Sequence, residues 1–308
     1  MENTRAKTTR NSLILLLTAT IWGMAFVSQS KGMDYMHPFT FNGVRSLIGA
    51  AGILVYILIS RKITGDKAAK LDWKRNVRAG LLCGIFLTIA STLQQFGIKY
   101  TSVGKAGFIT TLYIIFVPMF GIFLKKKVAP VVWAAAGMAA VGMYLLCMTE
   151  SLRLGAGDIM VFLCAIAFAI QIMTVDRYAA RIDGAVVSCI QFTVCGVVCC
   201  IGALIWGQPT FGQIQEGLGA LLYAGVLSCG VGYTLQIVGQ KGLNPTVAAL
   251  IMSLESVIAT ISGWIAYKIG FLSTDQTLTP RQIAGCVIVF AAVILVQLPP
   301  EWFRFGKK

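Results

Sequence analysis

Apolar residues gather along the chain in long runs, and short polar segments separate them at a steady interval. Ten such runs can be read, at 12–29, 39–60, 79–97, 105–124, 130–148, 157–175, 185–206, 217–238, 246–267 and 281–298. Each falls within the ~17–25 residues that a helix needs to cross a hydrocarbon core, and none alternates as a barrel strand does. Pro118 interrupts one run, which neighbouring helices tolerate inside a membrane. The pattern predicts an all-α integral membrane protein with ten transmembrane helices.

Composition sharpens this picture. The 308 residues are 57% hydrophobic and 12% charged, with a mean hydropathy of +0.78. A soluble domain carries about a quarter charged residues, so a soluble enzyme is excluded. Arg5, Lys7 and Arg10 before Leu-rich 12–17 look like the start of a signal peptide. Nine further runs follow, and Trp22 to Phe26 is a poor cleavage region, so a retained first helix is expected.

The net charge of +14 would suit nucleic acid, but its placement suits a membrane. With the N-terminus inside, 19 Lys and Arg fall in cytoplasmic segments, six fall outside and Arg45 lies within the second run. That asymmetry obeys the positive-inside rule. The expectation is a multi-pass protein of the plasma (inner) membrane with both termini cytoplasmic. The bilayer is its partner, nucleic acid is not, and it is a monomer or homodimer. Nine Cys form no CxxC pair and one His stands apart from them, so no metal or cofactor is expected. The cysteines read as reduced packing residues.

An internal repeat is the most informative feature. Thr92-Leu93-Gln94-Gln95-Phe96-Gly97-Ile98-Lys99 returns as Thr234-Leu235-Gln236-Ile237-Val238-Gly239-Gln240-Lys241, identical at five of eight positions. The same 142-residue offset pairs Ala106 with Ala248, Ile109 with Ile251 and Leu112 with Leu254. A slightly different offset sets Arg45 against Gln191. The chain thus divides into five-helix halves, 1–150 and 151–308. An odd helix count inverts the second half relative to the first, a transporter architecture with its site at the midplane.

At these residues the chain resembles the EamA-type proteins of the drug/metabolite transporter superfamily. Trp22-Gly23-x-x-Phe26, Pro38 with Arg45, the corner Lys99-Tyr100-Thr101-Ser102-Val103-Gly104-Lys105-Ala106, Pro118, and Ala248 to Glu255 carry the resemblance in order. Two positions depart from the family pattern: Ser256 replaces a Pro after the Glu, and Tyr267-Lys268-Ile269-Gly270 replaces a terminal Gly-Glu. The resemblance implies transport of a small organic metabolite or drug-like solute, commonly its export, with amino acids a frequent class.

Ionisable and polar residues inside the runs supply the candidate site. Glu255 is the carboxylate well inside a span, about 15 Å along the ninth helix from Pro245. Two readings stand: a proton-coupling or solute-binding group, or a hydrogen-bonded packing residue that contacts Tyr113, its repeat mate. Arg45 lies about 10 Å below Pro38 with Asn42 one turn above, and either binds an anionic group, snorkels toward the outer interface or pairs structurally with backbone carbonyls. Gln94 and Gln236 are repeat equivalents, with Ser91 and Tyr233 one turn earlier and Gln95 and Gln191 adding amides. They line a cavity or glue helices together. Thr110 with Tyr113, Met252 with Glu255, and the aromatic pair Trp22 and Phe26 complete the substrate-binding candidates. The runs at 130–148 and 281–298 offer small residues for packing and are expected at the periphery. His37 at the mouth of the second run reads as a solvated loop residue.

These features favour a secondary transporter working by alternating access. A channel would want rings of like charge or carbonyl filters, which the Arg45/Gln191 asymmetry does not offer. An embedded enzyme would want clustered catalytic groups, and GxSxG, HExxH and Walker A motifs are absent.

Overall fold

A computed structural model of the chain describes residues 2–64, 72–101, 103–124, 130–147, 155–272 and 277–297. Lys67, Lys70, Ser102, Lys125 to Lys127, Arg153, Arg304, Lys307 and Lys308 lie outside the described residues, as does the expected boundary at 150/151. The described chain is helical, with no strand among the described residues. The helices are α1 (Glu2–Gly32), α2 (Pro38–Thr64), α3 (Trp73–Ile98), α4 (Val103–Thr111), α5 (Tyr113–Phe123), α6 (Pro130–Cys147) and α7 (Ala156–Tyr178). They continue with α8 (Gly184–Gly202), α9 (Phe211–Glu216), α10 (Leu218–Leu222), α11 (Tyr233–Gly239), α12 (Pro245–Met252), α13 (Leu254–Lys268) and α14 (Pro280–Gln297).

Eight segments among the described residues are long and apolar enough to cross a membrane: Lys7–Gly32, Pro38–Ile63, Trp73–Ile98, Val103–Phe123, Ala156–Arg181, Gly184–Gly207, Leu218–Gly239 and Pro245–Lys268. The runs expected at 130–148 and 281–298 correspond to shorter apolar stretches, Pro130–Gly142 and Pro280–Leu295. Their helices, α6 and α14, adjoin residues outside the described set and pack on one another at the side of the bundle.

Three expected helices are not continuous. The fourth run breaks at Leu112 between α4 and α5. Pro118 cannot donate to the carbonyl of Ile114, and the Thr111 hydroxyl takes the carbonyls of Gly107 and Phe108. The ninth run breaks at Ser253 between α12 and α13 without any proline. There Ser253 Oγ donates to Leu250 O at 2.7 Å and Ser256 Oγ donates to Ser253 O at 2.8 Å. Both serine hydroxyls thus bond backbone carbonyls at the break. In the eighth run, Tyr223–Gly232 widens into a π-helix between α10 and α11. Uniform hydropathy conceals all three breaks.

Packing obeys the logic of a lipid solvent. Leu54, Val55, Leu58 and Ile59 of α2 and Ile283, Val287, Phe290 and Ile294 of α14 face outward, whereas Asn42, Arg45, Gln94, Gln95, Gln171, Gln191, Gln236 and Glu255 are buried. Polar groups are expensive in hydrocarbon, so they turn inward and bond one another. At one end of the bundle, Asp158 accepts from Lys105 Nζ at 2.6 Å and Thr101 Oγ1 at 2.8 Å, tying α7 to the start of α4. At the other, Asn11 Nδ2 donates to Lys241 O at 2.7 Å and Asn76 Oδ1 accepts from Asp183 N at 2.9 Å. The eight described cysteines are free. Cys195 accepts from Ser46 Oγ at 3.5 Å and lies 3.4 Å from Ser91 Oγ, joining α8 to α2 and α3.

Near the centre α1 and α13 approach closely. A Cβ on Gly23 would fall 2.6 Å from the Cβ of Ile258 and 2.7 Å from the Glu255 carbonyl oxygen. Gly23→Val is therefore expected to force these helices apart and lower the melting temperature of the purified protein, an overpacking cost of about 1–3 kcal/mol. An unchanged melting curve would contradict this packing.

Candidate functional site

A buried cavity lies at the centre of the bundle, where the interrupted helices meet. α1 contributes Trp22, Ala25, Phe26 and Gln29, one helical face at i, i+3, i+4 and i+7. α2 adds Arg45, α3 adds Gln94, and the α4–α5 break adds Thr110 and Tyr113. α7 supplies Phe168, Gln171 and Ile172, the eighth run supplies Ser228, Tyr233 and Gln236, and α13 supplies Glu255. Neither α6 nor α14 reaches this wall, as their small-residue composition suggested. α8 does not reach it either, although the seventh run was expected to contribute. The free volume is about 30 Å³, room for about two waters.

The two ionisable groups occupy different parts of the wall. Glu255 is 3% exposed and stands in the first turn of α13, where the helix N-terminus favours negative charge. Tyr113 Oη donates to Glu255 Oε1 at 3.1 Å, bridging the first residue of α5 and the second of α13. Arg45 is 6% exposed, so it is held inside rather than snorkelling. Its guanidinium lies 5.4 Å from the Phe41 ring centre, and its Nε has no hydrogen-bond partner. Among the described residues no ion pair joins Arg45 to Glu255.

Amides and rings fill the space between. Gln94 Nε2 donates to Thr110 Oγ1 at 3.2 Å. Gln171 and Gln236 exchange amide bonds at 3.2 and 3.5 Å, so the Gln236 expected at the site glues α7 to α11 while facing the cavity. Trp22 lies 4.5 Å from Tyr233, centre to centre, and its Nε1 donates to Ser228 O at 3.4 Å in the π segment. Such widened turns recur at functional sites.

Five expected residues do not line the cavity in this conformation. Asn42 Nδ2 donates to Ser91 O at 2.9 Å, pinning α2 to α3. Gln95 is fully buried and donates to Gln29 O at 3.1 Å. Gln191 is fully buried on α8 with neither amide atom partnered, and Met252 packs in the core where α12 ends. For Asn42 and Gln95 a neighbouring helix, which periodicity does not reveal, claims the side chain. Gln29, Gln171 and Phe168 were missed, although the sequence carries a signal for them. Ala25-Phe26 and Gln29 return as Ala167-Phe168 and Gln171 at the same 142-residue offset. His37 also differs from expectation. It is half-buried, 5.4 Å from the Phe96 ring and 5.8 Å from the Phe39 ring. Burial, and then the Lys99 charge, hold this imidazole below its usual range.

A model of the EamA-like transporter family matches the chain twice, over residues 10–148 and 155–298. An uncharacterized transporter of Archaeoglobus fulgidus is 27% identical over 290 residues, covering 92% of this chain and 84% of its own. The uncharacterized transporter YwfM of Bacillus subtilis is 24% identical over 295 residues, covering 94% of both. A solved crystal structure superposes on this fold with a TM-score of 0.74 at 16% identity, over 96% of this chain and 99% of that one.

Tyr113→Phe removes the hydrogen bond to Glu255 and little else. It is expected to leave the protein folded and to lower its stability by about 1–3 kcal/mol, the cost of an unsatisfied buried acceptor. A thermal melt indistinguishable from the parent would mean that the two groups do not depend on one another.

Proposed function

Since the chain belongs to the EamA-like transporter family and is a multi-pass membrane protein, we propose that it carries a small organic solute by alternating access through the cavity of Arg45 and Glu255. The observation that carries this reading is a guanidinium and a carboxyl group lining one small cavity, with no ion pair between them among the described residues. A solute with both a carboxylate and an ammonium group, such as an amino acid, complements them. The Arg45 fork suits the carboxylate. Trp22, Phe26, Phe168 and Tyr233 suit an apolar side chain. A cavity of about 30 Å³ admits no such solute until helices part, which favours a carrier over an open pore.

The proposed architecture is two inverted repeats of five helices, 1–150 and 151–308. Its support is the double match to one family model, together with breaks at Leu112 and Ser253, nearly equivalent under the 142-residue offset. Tyr113 and Glu255 are repeat mates under that offset, so their hydrogen bond would lie close to the pseudo-two-fold axis. The Lys and Arg distribution supports cytoplasmic termini in a plasma membrane. The proposed direction is export, which rests on the family resemblance alone. The relatives' names as transporters support a role without catalysis.

Energy coupling is assigned to Glu255, the one cavity carboxylate, which would take a proton on one side of the membrane and yield it on the other. Glu255→Gln keeps shape and polarity but cannot titrate. In proteoliposomes carrying a transported amino acid, this variant should retain exchange down the solute gradient. It should lose accumulation driven by a pH gradient, by at least about tenfold, the scale on which a positioned proton-transfer group acts. Accumulation equal to the parent would refute proton coupling through this residue.

A further inference from the structure

α1 and α13 touch at Gly23, and toward Lys31 and Lys268 their outer sides border a groove facing out of the bundle. Its volume is about 410 Å³, many times that of the central cavity. Met24 and Val27 form one wall, and Ile261, Ile265 and Ile269 form a ladder along the other. Two of the three hydroxyls in this wall are engaged: Ser262 Oγ donates to Gly23 O and Ala259 O, and Tyr223 Oη donates to Ile21 O, with Ser28 the third. The groove therefore offers an occupant predominantly apolar contact. Ile258 to Ile269 spans about 16 Å at helical rise, close to half of a ~30 Å hydrocarbon core. That is the depth of one leaflet.

The open end has a different chemistry. Gly270 adopts φ +75°, and Gly270 N donates to Tyr267 O at 3.0 Å while Phe271 N donates to Ala266 O at 2.8 Å. This is the left-handed helix stop that glycine permits, and it folds Phe271 back over the end of the groove. Lys31 Nζ lies 5.8 Å from the Phe271 ring centre and 5.4 Å from that of Tyr35. Lys268, in the last turn of α13, is exposed at the same end. Asp34 pairs with Lys31 at 3.0 Å and offsets one of the two charges, leaving a surplus positive charge among the described residues of the mouth. Lys268 and Gly270 belong to the segment in which this chain departs from the family it resembles.

We propose that this groove holds one acyl chain of an anionic diacyl phospholipid from the leaflet on the Lys31 side, with the lipid phosphate facing Lys31 and Lys268. The charge at the mouth distinguishes this occupant from a zwitterionic lipid, and the predominantly apolar wall distinguishes it from a polar solute.

Native mass spectrometry of the full-length protein, with phosphatidylglycerol and phosphatidylcholine offered in equal amounts, tests this directly. The parent should retain phosphatidylglycerol about fivefold more than phosphatidylcholine, the effect of one surplus charge near a membrane surface. Lys268→Gln, which leaves Lys31 and Asp34 to cancel, should bring that ratio to about one, and the double variant Lys31→Gln, Lys268→Gln, which leaves Asp34 unopposed, should bring it below one. Ile265→Trp, which fills the groove, should release bound lipid of both kinds. Equal retention of the two lipids by the parent overturns the proposal. So does an unchanged preference in the double variant, or undiminished lipid retention in Ile265→Trp. Should the double variant fail to fold, Lys268→Gln alone carries the same test, because that side chain is exposed and makes no core contact.

Discussion

A carboxyl group in the middle of an apolar bundle has no water to bond, and Glu255 meets this constraint through Tyr113. Much of the central architecture is consistent with that one requirement. The bond joins the start of α5 to the start of α13, so both long helices are interrupted beside it. α13 then presents its N-terminus to the carboxyl, and α1 lies against the Glu255 carbonyl through Gly23. Leu, Ile and Val elsewhere make the bundle greasy on both its inside and its outside, so apolar burial alone cannot choose an arrangement. In lipid, hydrogen bonds and close contacts between small residues choose it.

The same reasoning explains the polar seam around the cavity. Gln171 with Gln236, Gln94 with Thr110 and Asn42 with Ser91 each satisfy one helix with another. Individually such bonds contribute about 0.6–2 kcal/mol in a membrane. Their shared geometry matters more, because it directs side chains from seven of the long apolar segments to one point. Arg45 is the incomplete member: it is buried, with an unpartnered Nε. A buried guanidinium with a free donor is a costly feature for a purely structural role, and the proposed solute carboxylate would complete it.

The helical character and nearly all helix positions were legible in the pattern of apolar runs, because a bilayer demands long uninterrupted apolar stretches. The breaks at Leu112 and Ser253 and the π turns of Tyr223–Gly232 were not, since a serine hydroxyl or a shifted carbonyl changes local geometry without changing hydropathy. At the cavity, Trp22, Phe26, Arg45, Gln94, Thr110, Tyr113, Tyr233, Gln236 and Glu255 were legible as intramembrane polar or aromatic groups. Gln95 looks the same in sequence but turns to α1, and Gln191 is buried away from the cavity; only packing decides which way an amide points. Gln29 and Gln171 were readable in the 142-residue repeat. Ser228 was not, because it acts through its backbone oxygen.

The account turns on Arg45 and the closed cavity forming a solute site. The most direct measurement is a thermal-shift screen of the purified protein and of Arg45→Lys against a metabolite library, because a bound ligand raises apparent stability by mass action. The account predicts that a small carboxylate-bearing zwitterion stabilises the parent. It also predicts that the same compound loses this effect in Arg45→Lys, which keeps the charge and gives up the planar fork. Stabilisation of both proteins to the same extent by every compound that binds would contradict it.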